Sequence, residues 1–142
     1  MTDVRPYTAL IERLKLAGLR PTRQRLALAK LLFDTADDQT DRHVTAEQLH
    51  SEAMEAEVRV SLATVYNTLH QFTDAGLLRE VVVDSGRSYF DTNIDDHHHF
   101  YFEDNGRLQD IPGAAVRLAE LPEAPAGAAI KRVEVIIRVR ED

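Results

Sequence analysis

The sequence predicts an α+β chain, an N-terminal winged helix-turn-helix domain followed by a small α/β dimerisation domain. Three observations predict it. Amphipathic helical segments follow one another as far as Gly76. The periodicity then switches from that of a helix to that of a strand, with a turn between two extended runs. From residue 92 onward short strand-like segments dominate and end in a strictly alternating stretch.

Each element has a local cause. From Tyr7 to Ala17, Leu10, Ile11, Leu14 and Ala17 recur at helical spacing, and Gly18 follows as a stop. Thr22 is a candidate N-cap for a second helix, whose stripe of Leu26, Ala29, Leu32 and Phe33 runs until Asp37 and Asp38 interrupt it. Thr45 with Gln48 three residues later reads as a capping box opening a third helix through Ala46, Leu49 and Ala53 to about Glu55. Ser61 caps a fourth, with Leu62, Val65, Leu69 and Phe72 on one face and Thr64, Asn67, Thr68 and Gln71 on the other, and Gly76 supplies its left-handed stop. Leu78 to Val83, the turn Asp84-Ser85-Gly86 and Ser88 to Asp91 then read as a hairpin. Helices followed by a hairpin give the order of a winged helix, with the fourth helix as reader and the hairpin as wing, so the first domain is placed at 1–91.

The second domain, 92–142, is predicted to hold a strand at His98 to Glu103, a turn at Asp104-Asn105-Gly106, a strand at Arg107 to Ile111 and a short helix about Ala114 to Leu121. A final strand runs from Lys131 to Arg140, where Val133, Val135, Ile137 and Val139 alternate with Glu134, Ile136, Arg138 and Arg140, the period of a sheet with one buried face. So few residues bury little alone, and pairing with a second copy is the expected solution.

Composition narrows the function. The chain has 142 residues and no cysteine, which excludes disulfides, thiolate zinc and cysteine nucleophiles, so any metal is held by His, Asp, Glu or backbone groups. An enzyme reading could use His97, His98 and His99 with Asp91, Asp95 or Asp96 as a hydrolytic metal site, but it has little support, since there is no Gly-rich phosphate loop, no Ser nucleophile motif and no HExxH. No stretch is long and apolar enough for a membrane span and the first residues lack the features of a secretory signal, so the expected compartment is the cytoplasm. The net charge is -7, but it is unevenly placed. Residues 11–33 hold six Lys or Arg against Glu12, a net of +5, whereas residues 81–142 hold seven against twelve acids, a net of -5. A nucleic-acid face therefore belongs to the N-terminal half.

Two constellations carry chemistry. On the fourth helix, Ser61, Thr64, Tyr66 and Asn67 offer hydroxyls, an amide and an aromatic ring suited to phosphates and base edges. Arg20, Arg23 and Arg25, with Thr22, are placed at the start of helix two to clamp the DNA backbone or enter a minor groove. The second constellation is Asp95-Asp96-His97-His98-His99, with Asp91 upstream and His43 in the preceding domain. On a strand His97 and His99 share a face and can ligate one ion, while His98 points the other way. Neutral imidazole with carboxylate suits Mn²⁺, Fe²⁺ or Zn²⁺, and imidazole alone suits haem iron.

The blocks Gly18-Leu19-Arg20-Pro21-Thr22-Arg23-Gln24-Arg25, His43-Val44-Thr45-Ala46-Glu47-Gln48-Leu49, Leu62-Ala63-Thr64-Val65-Tyr66 and Asp74-Ala75-Gly76-Leu77, followed by the hairpin and the His cluster, resemble the ferric uptake regulator family over nearly the whole chain. The resemblance implies a homodimeric transcription regulator that binds a palindromic, AT-rich double-stranded operator, with Tyr66 and its neighbours reading bases and Arg20 near the minor groove. It also implies that His43, Asp91, His97 and His99 form a regulatory metal site between the two domains, fixing the angle between reader and dimer module. Departures from the pattern matter as well. Phe102 and Asn105 stand where many members carry Cys-x-x-Cys, so a structural zinc held by four cysteines is absent, and Arg117 stands where a second site would need Glu. Lack of the Cys pair, the His97-His98-His99 triplet and the compact tail are similar to the iron response regulator subgroup. That subgroup implies haem as effector on His97, His98 and His99, operator binding when iron is scarce, and inactivation by haem. The alternative is a repressor of metal-uptake genes activated by Mn, Fe or Zn through His43, Asp91, His97 and His99. The sequence leaves both open.

Overall fold

The computed structural model describes residues 6–34, 41–84 and 86–141. Asp37 and Asp38, expected to end the second helix, and Ser85 of the hairpin turn lie outside the described residues. The chain divides into two compact units, Met1–Ile94 and Asp95–Asp142.

In the first unit α1 (Pro6–Leu16), α2 (Arg23–Phe33), α3 (Ala46–Glu55) and α4 (Leu62–Asp74) precede the hairpin of β2 (Arg79–Asp84) and β3 (Arg87–Asp91). The caps are those the sequence proposes. Thr22, Ser61 and Thr45 each accept from a backbone N–H of the first turn, and the Thr45–Gln48 capping box is complete. At the far end of α4, Gly76 has φ 84 and the Leu77 N–H donates to the Phe72 carbonyl at 2.9 Å, a closure that wants a residue without Cβ at the left-handed position. Leu14, Leu28, Leu32, Leu49, Leu69, Phe72 and Phe90 are buried in one cluster that joins all four helices to the hairpin. This explains why the helical stripes and the wing fold as a unit.

Two features of this unit differ from expectation. Thr68, placed with the polar face of α4, is 5% exposed and belongs to the buried side. A two-residue strand, β1 (His43–Val44), pairs antiparallel with β3, so that His43 lies opposite Asp91 and the sheet order is β1-β3-β2. A strand this short has too few residues to show a period of two, which is why sequence patterning misses it.

The second unit is a three-stranded sheet in the order β5-β4-β6, built from β4 (His97–Phe102), β5 (Arg107–Pro112) and β6 (Ile136–Val139). β4 and β5 form an antiparallel hairpin, and β6 runs parallel to β4. The helix expected about Ala114 to Leu121 does not form; only a 3-10 turn at Gly113–Ala115 is present, and Val116 is already extended. Leu118 and Leu121 are 45% and 52% exposed, so a helix there would have no apolar surface to pack on, and a segment so short is not stable by propensity alone. The final strand is also shorter than predicted, and its pattern lacks a buried face: Val133, Val135 and Val139 are half-buried and Ile137 is 38% exposed. Among the described residues no helix is long and apolar enough to cross a membrane.

Candidate DNA-reading face and cation site

The exposed side of α4 and the N-terminus of α2 carry the residues expected to touch DNA. Arg20, Thr22, Arg25, Thr64 and Asn67 line one polar groove of about 370 Å³, together with Gln71. Arg20 and Arg23 are exposed. Arg25 is tied down: its Nε and Nη2 donate to Gln71 Oε1 at 3.3 and 3.0 Å, and its Nη1 donates to the Arg20 carbonyl at 2.9 Å. The guanidinium thus links the loop before α2 to the exposed face of α4, a bridge between residues 46 apart that sequence spacing does not reveal. The hydroxyls of Thr22 and Ser61 serve as helix caps, and Ser61 Oγ also donates to Thr64 Oγ1 at 3.0 Å.

Tyr66 lies outside that groove. It lines a cleft between α3, α4 and the wing, where its hydroxyl donates to Glu47 Oε2 at 3.0 Å. That bond to a carboxylate, with smaller contributions from burial and from the negative charge itself, pushes the phenol pKa above its ordinary value. Its ring stacks near that of His70, which sets its edge against Phe90 of β3.

Each unit holds part of the histidine cluster. In the first unit His43 Nε2 faces Asp91 Oδ2 at 3.1 Å; Asp91 is fully buried, and its Oδ1 accepts from the Asn93 N–H at 2.9 Å. In the second unit the β4–β5 register places His99 directly opposite Asp110, with His97 one diagonal step away on the same face. The Nε2 atoms of both rings lie 3.3 Å from Asp110 Oδ1. His97 and His99 are 5% and 2% exposed. His98 is also buried, but its Nδ1 accepts from the Val135 N–H at 3.0 Å, toward β6, so it does not join the other two.

The hydrogen bonding of His97 decides what this group is suited to hold. Its Nδ1 approaches the Asp95 carbonyl, which can only accept, so in the neutral ring Nδ1 carries the proton and Nε2 presents a lone pair to Asp110. A lone pair facing a carboxylate oxygen in a buried place is repulsive unless positive charge stands between them. Protonation of the ring meets that need, and so does a divalent cation, for which the outward Nδ1–H bond is the support that metal-bound imidazoles commonly have. The spacing fits: ligands about 2.1 Å from one ion at angles of about 90 to 110° lie about 3.0 to 3.4 Å apart. Two nitrogens and a carboxylate suit Mn²⁺, Fe²⁺ or Zn²⁺.

Asp110 is the ligand candidate that reading the sequence overlooks. Its signal was present: closing the hairpin on the turn at 104–106 pairs Phe102 with Arg107, and counting back sets Asp110 opposite His99. Where cysteines would have held zinc, Asn105 Oδ1 accepts from the Arg107 N–H at 2.9 Å and the Arg107 guanidinium lies 4.1 Å from the Phe102 ring centroid. Ordinary turn chemistry closes the hairpin there.

Fold and sites together define a winged-helix protein whose second, mainly β unit carries a buried histidine–carboxylate cluster. The chain belongs to the Ferric uptake regulator family, which matches residues 16–137. It is 32% identical over 101 residues to the peroxide-responsive repressor PerR of Staphylococcus aureus, an alignment that covers 71% of this chain and 65% of that protein's length. The ferric uptake regulator from Pseudomonas aeruginosa, solved with manganese, is similar at 30% identity and a TM-score of 0.67, covering 92% of this chain and 96% of the other. The Vibrio cholerae ferric uptake regulator, at 23% identity and the same TM-score of 0.67, covers 92% of this chain and 98% of its own and shares the fold.

Proposed function

We propose that this protein is a homodimeric, sequence-specific transcription regulator that binds an AT-rich palindromic operator and represses when a divalent cation occupies the histidine–carboxylate cluster. One observation carries the reading: two buried imidazole nitrogens converge on the single oxygen Asp110 Oδ1 at 3.3 Å each, in a chain whose other unit is a winged helix. The similar proteins support the same direction, since one is a repressor and one was solved with manganese. In this reading His97, His99 and Asp110 are the ligands of the second unit. His43 and Asp91, already paired in the first, complete the set as the family resemblance implies. A bound cation would place positive charge between those nitrogens and carboxylate oxygens. Because ligands then come from both units, occupancy biases how the reader is presented, and operator affinity is thermodynamically linked to metal affinity. Dimerisation through the second unit covers the half-buried β6 and the apolar side chains of residues 116–135.

The test is operator affinity on AT-rich palindromic DNA at fixed salt, measured on metal-free protein and during titration with Mn²⁺, Fe²⁺, Zn²⁺ and haem. Metal-dependent tightening with haem inert supports this reading. The haem-responsive version, with His97, His98 and His99 as haem ligands and regulation of iron and haem homeostasis as the role, rests on the subgroup resemblance and predicts haem-driven release with metal inert. Binding that ignores all four ligands would sink both. The PerR similarity adds one arm: if the regulated signal is peroxide, hydrogen peroxide should release operator from Fe²⁺-loaded protein and leave Mn²⁺-loaded protein bound.

A further inference from the structure

Tyr66 is an exposed aromatic ring on the reading helix, yet its hydroxyl proton is already committed. It donates to Glu47 Oε2 at 3.0 Å, and the ring is held from the side by His70, 6.4 Å between centroids and 18° from parallel. His70 rests in turn on the buried Phe90 ring, 5.5 Å away and near perpendicular, so the tyrosine is fixed at its hydroxyl and supported along its ring. Glu47 is itself well placed. It sits in the first turn of α3, beside the complete Thr45–Gln48 capping box, where a carboxylate is favoured by the helix dipole.

This arrangement changes what the tyrosine can recognise. A hydroxyl whose proton points at a carboxylate presents only oxygen lone pairs outward, and the carboxylate beside it is also an acceptor. Phosphate oxygens, thymine O4 and guanine O6 and N7 are acceptors too and are disfavoured there. The amino groups of adenine N6 and cytosine N4 are donors and fit. From this juxtaposition we propose that Glu47 is a specificity-determining residue: by holding the Tyr66 hydroxyl as an acceptor, it selects a base bearing an amino group, adenine or cytosine, over guanine or thymine at one position of each half-site. The inference rests on the operator-binding reading above. A free tyrosine at the same place would donate to thymine O4 or a phosphate, so the preference belongs to the pair of residues.

The experiment is selection from a randomised duplex library by full-length, Mn²⁺-loaded protein, with sequencing of the bound fraction, for the parent chain, Glu47→Ala and Tyr66→Phe. The parent should show one position per half-site with about a tenfold preference for adenine or cytosine over guanine or thymine, the discrimination expected of a good base-edge contact. Both variants should lose that preference and keep those at other positions. Glu47→Ala should also bind all sequences somewhat more tightly, because a negative charge facing phosphates is gone. Thermal melts of both variants establish that they are folded. Parent and Glu47→Ala logos that coincide at every position overturn the role of Glu47 while the regulator reading stands. A parent protein that retains no duplex at all overturns that reading and this inference together.

Discussion

The two units bury different things. In Met1–Ile94 the interior is mostly hydrocarbon: Leu14, Leu28, Leu32, Leu49, Leu69, Phe72 and Phe90 are each at most 1% exposed and belong to one cluster, with Thr68, Arg79 and Asp91 as its buried polar side chains. In Asp95–Asp142 the buried residues are Tyr101, Leu108 and Ile111 beside His97, His98 and His99. The first unit is therefore held by area removed from water, and the second by whether its buried polar groups find partners. Apolar burial does not depend specifically on protons or dissolved metal ions. Buried imidazoles facing a carboxylate do, and this is the physical reason to look for a cation response at His97 and His99 with Asp110 in the second unit and at His43 with Asp91 in the first.

The largest expected effect sharpens the contrast in stability. Phe72→Ala removes a fully buried ring that also lies 6.2 Å from the Phe33 ring, and should cost about 3 to 5 kcal/mol in urea unfolding. That is a large part of the stability of an ordinary domain. Ile137→Ala, in the half-covered β6, should cost less than about 1 kcal/mol in a monomer. Equal losses would remove the distinction between a self-sufficient core and a thin one.

The next effect tests ion dependence. Mn²⁺ at about a hundredfold over its dissociation constant should stabilise the parent protein by about 2.7 kcal/mol, provided that the unfolded chain binds it weakly. His97→Ala with His99→Ala should abolish that gain and the metal response of operator binding, leaving the first unit folded. A double variant still stabilised by Mn²⁺ to the parental extent would move the cation site elsewhere.

How much of this was readable from sequence follows from the range of each interaction. The helices of the first unit were legible because caps and stops act over three to five residues: Thr45 with Gln48, Ser61 with Thr64, and the turn at Gly76 that lets Leu77 close on Phe72. His97 and His99 were legible as one face because a strand alternates side by side. The roles of Asp110 and Glu47, and the tie of Gln71 to Arg25, were not legible, since each acts across a pairing of elements: strand register for Asp110, α3 against α4 for Glu47, and α2 against α4 for Gln71. The failed helix after Ala114 has the opposite cause. Its residues permit a helix, but the fold provides nothing to bury its apolar side chains.

A smaller effect separates contact from positioning within the reader. Arg20→Ala should weaken binding to all duplexes and flatten the salt dependence by about one unit, as loss of one phosphate contact does. Arg25, engaged with Gln71 and the Arg20 carbonyl, should behave differently: Arg25→Ala lowers operator affinity with the salt slope nearly unchanged, and Gln71→Ala reproduces part of the loss. If Arg25→Ala flattens the slope as much as Arg20→Ala, the arginine touches phosphate directly.

The smallest expected effect is the titration of Tyr66. Its pKa is raised mainly by the hydrogen bond to Glu47, then by burial and by the charge of that carboxylate, so the folded state favours the protonated phenol more than the unfolded state does. The associated stabilisation is fully present below the ordinary tyrosine value of 10.0 and is lost as pH rises from there through the raised folded value, since only the unfolded chain ionises easily in that interval. Near neutral pH it should therefore give stability no pH dependence, and the shift is read in a phenolate absorbance titration. The difference between parent and Tyr66→Phe should show one phenol ionising above the ordinary range, and in Glu47→Ala that phenol should return toward it. His70, Glu80 and Arg87 line the same cleft, and their substitution should move the midpoint less than that of Glu47, because none of them accepts the hydroxyl proton. A midpoint unchanged in Glu47→Ala would mean that the hydroxyl is free in solution, and the first unit would then meet DNA with a donor where it is expected to present an acceptor.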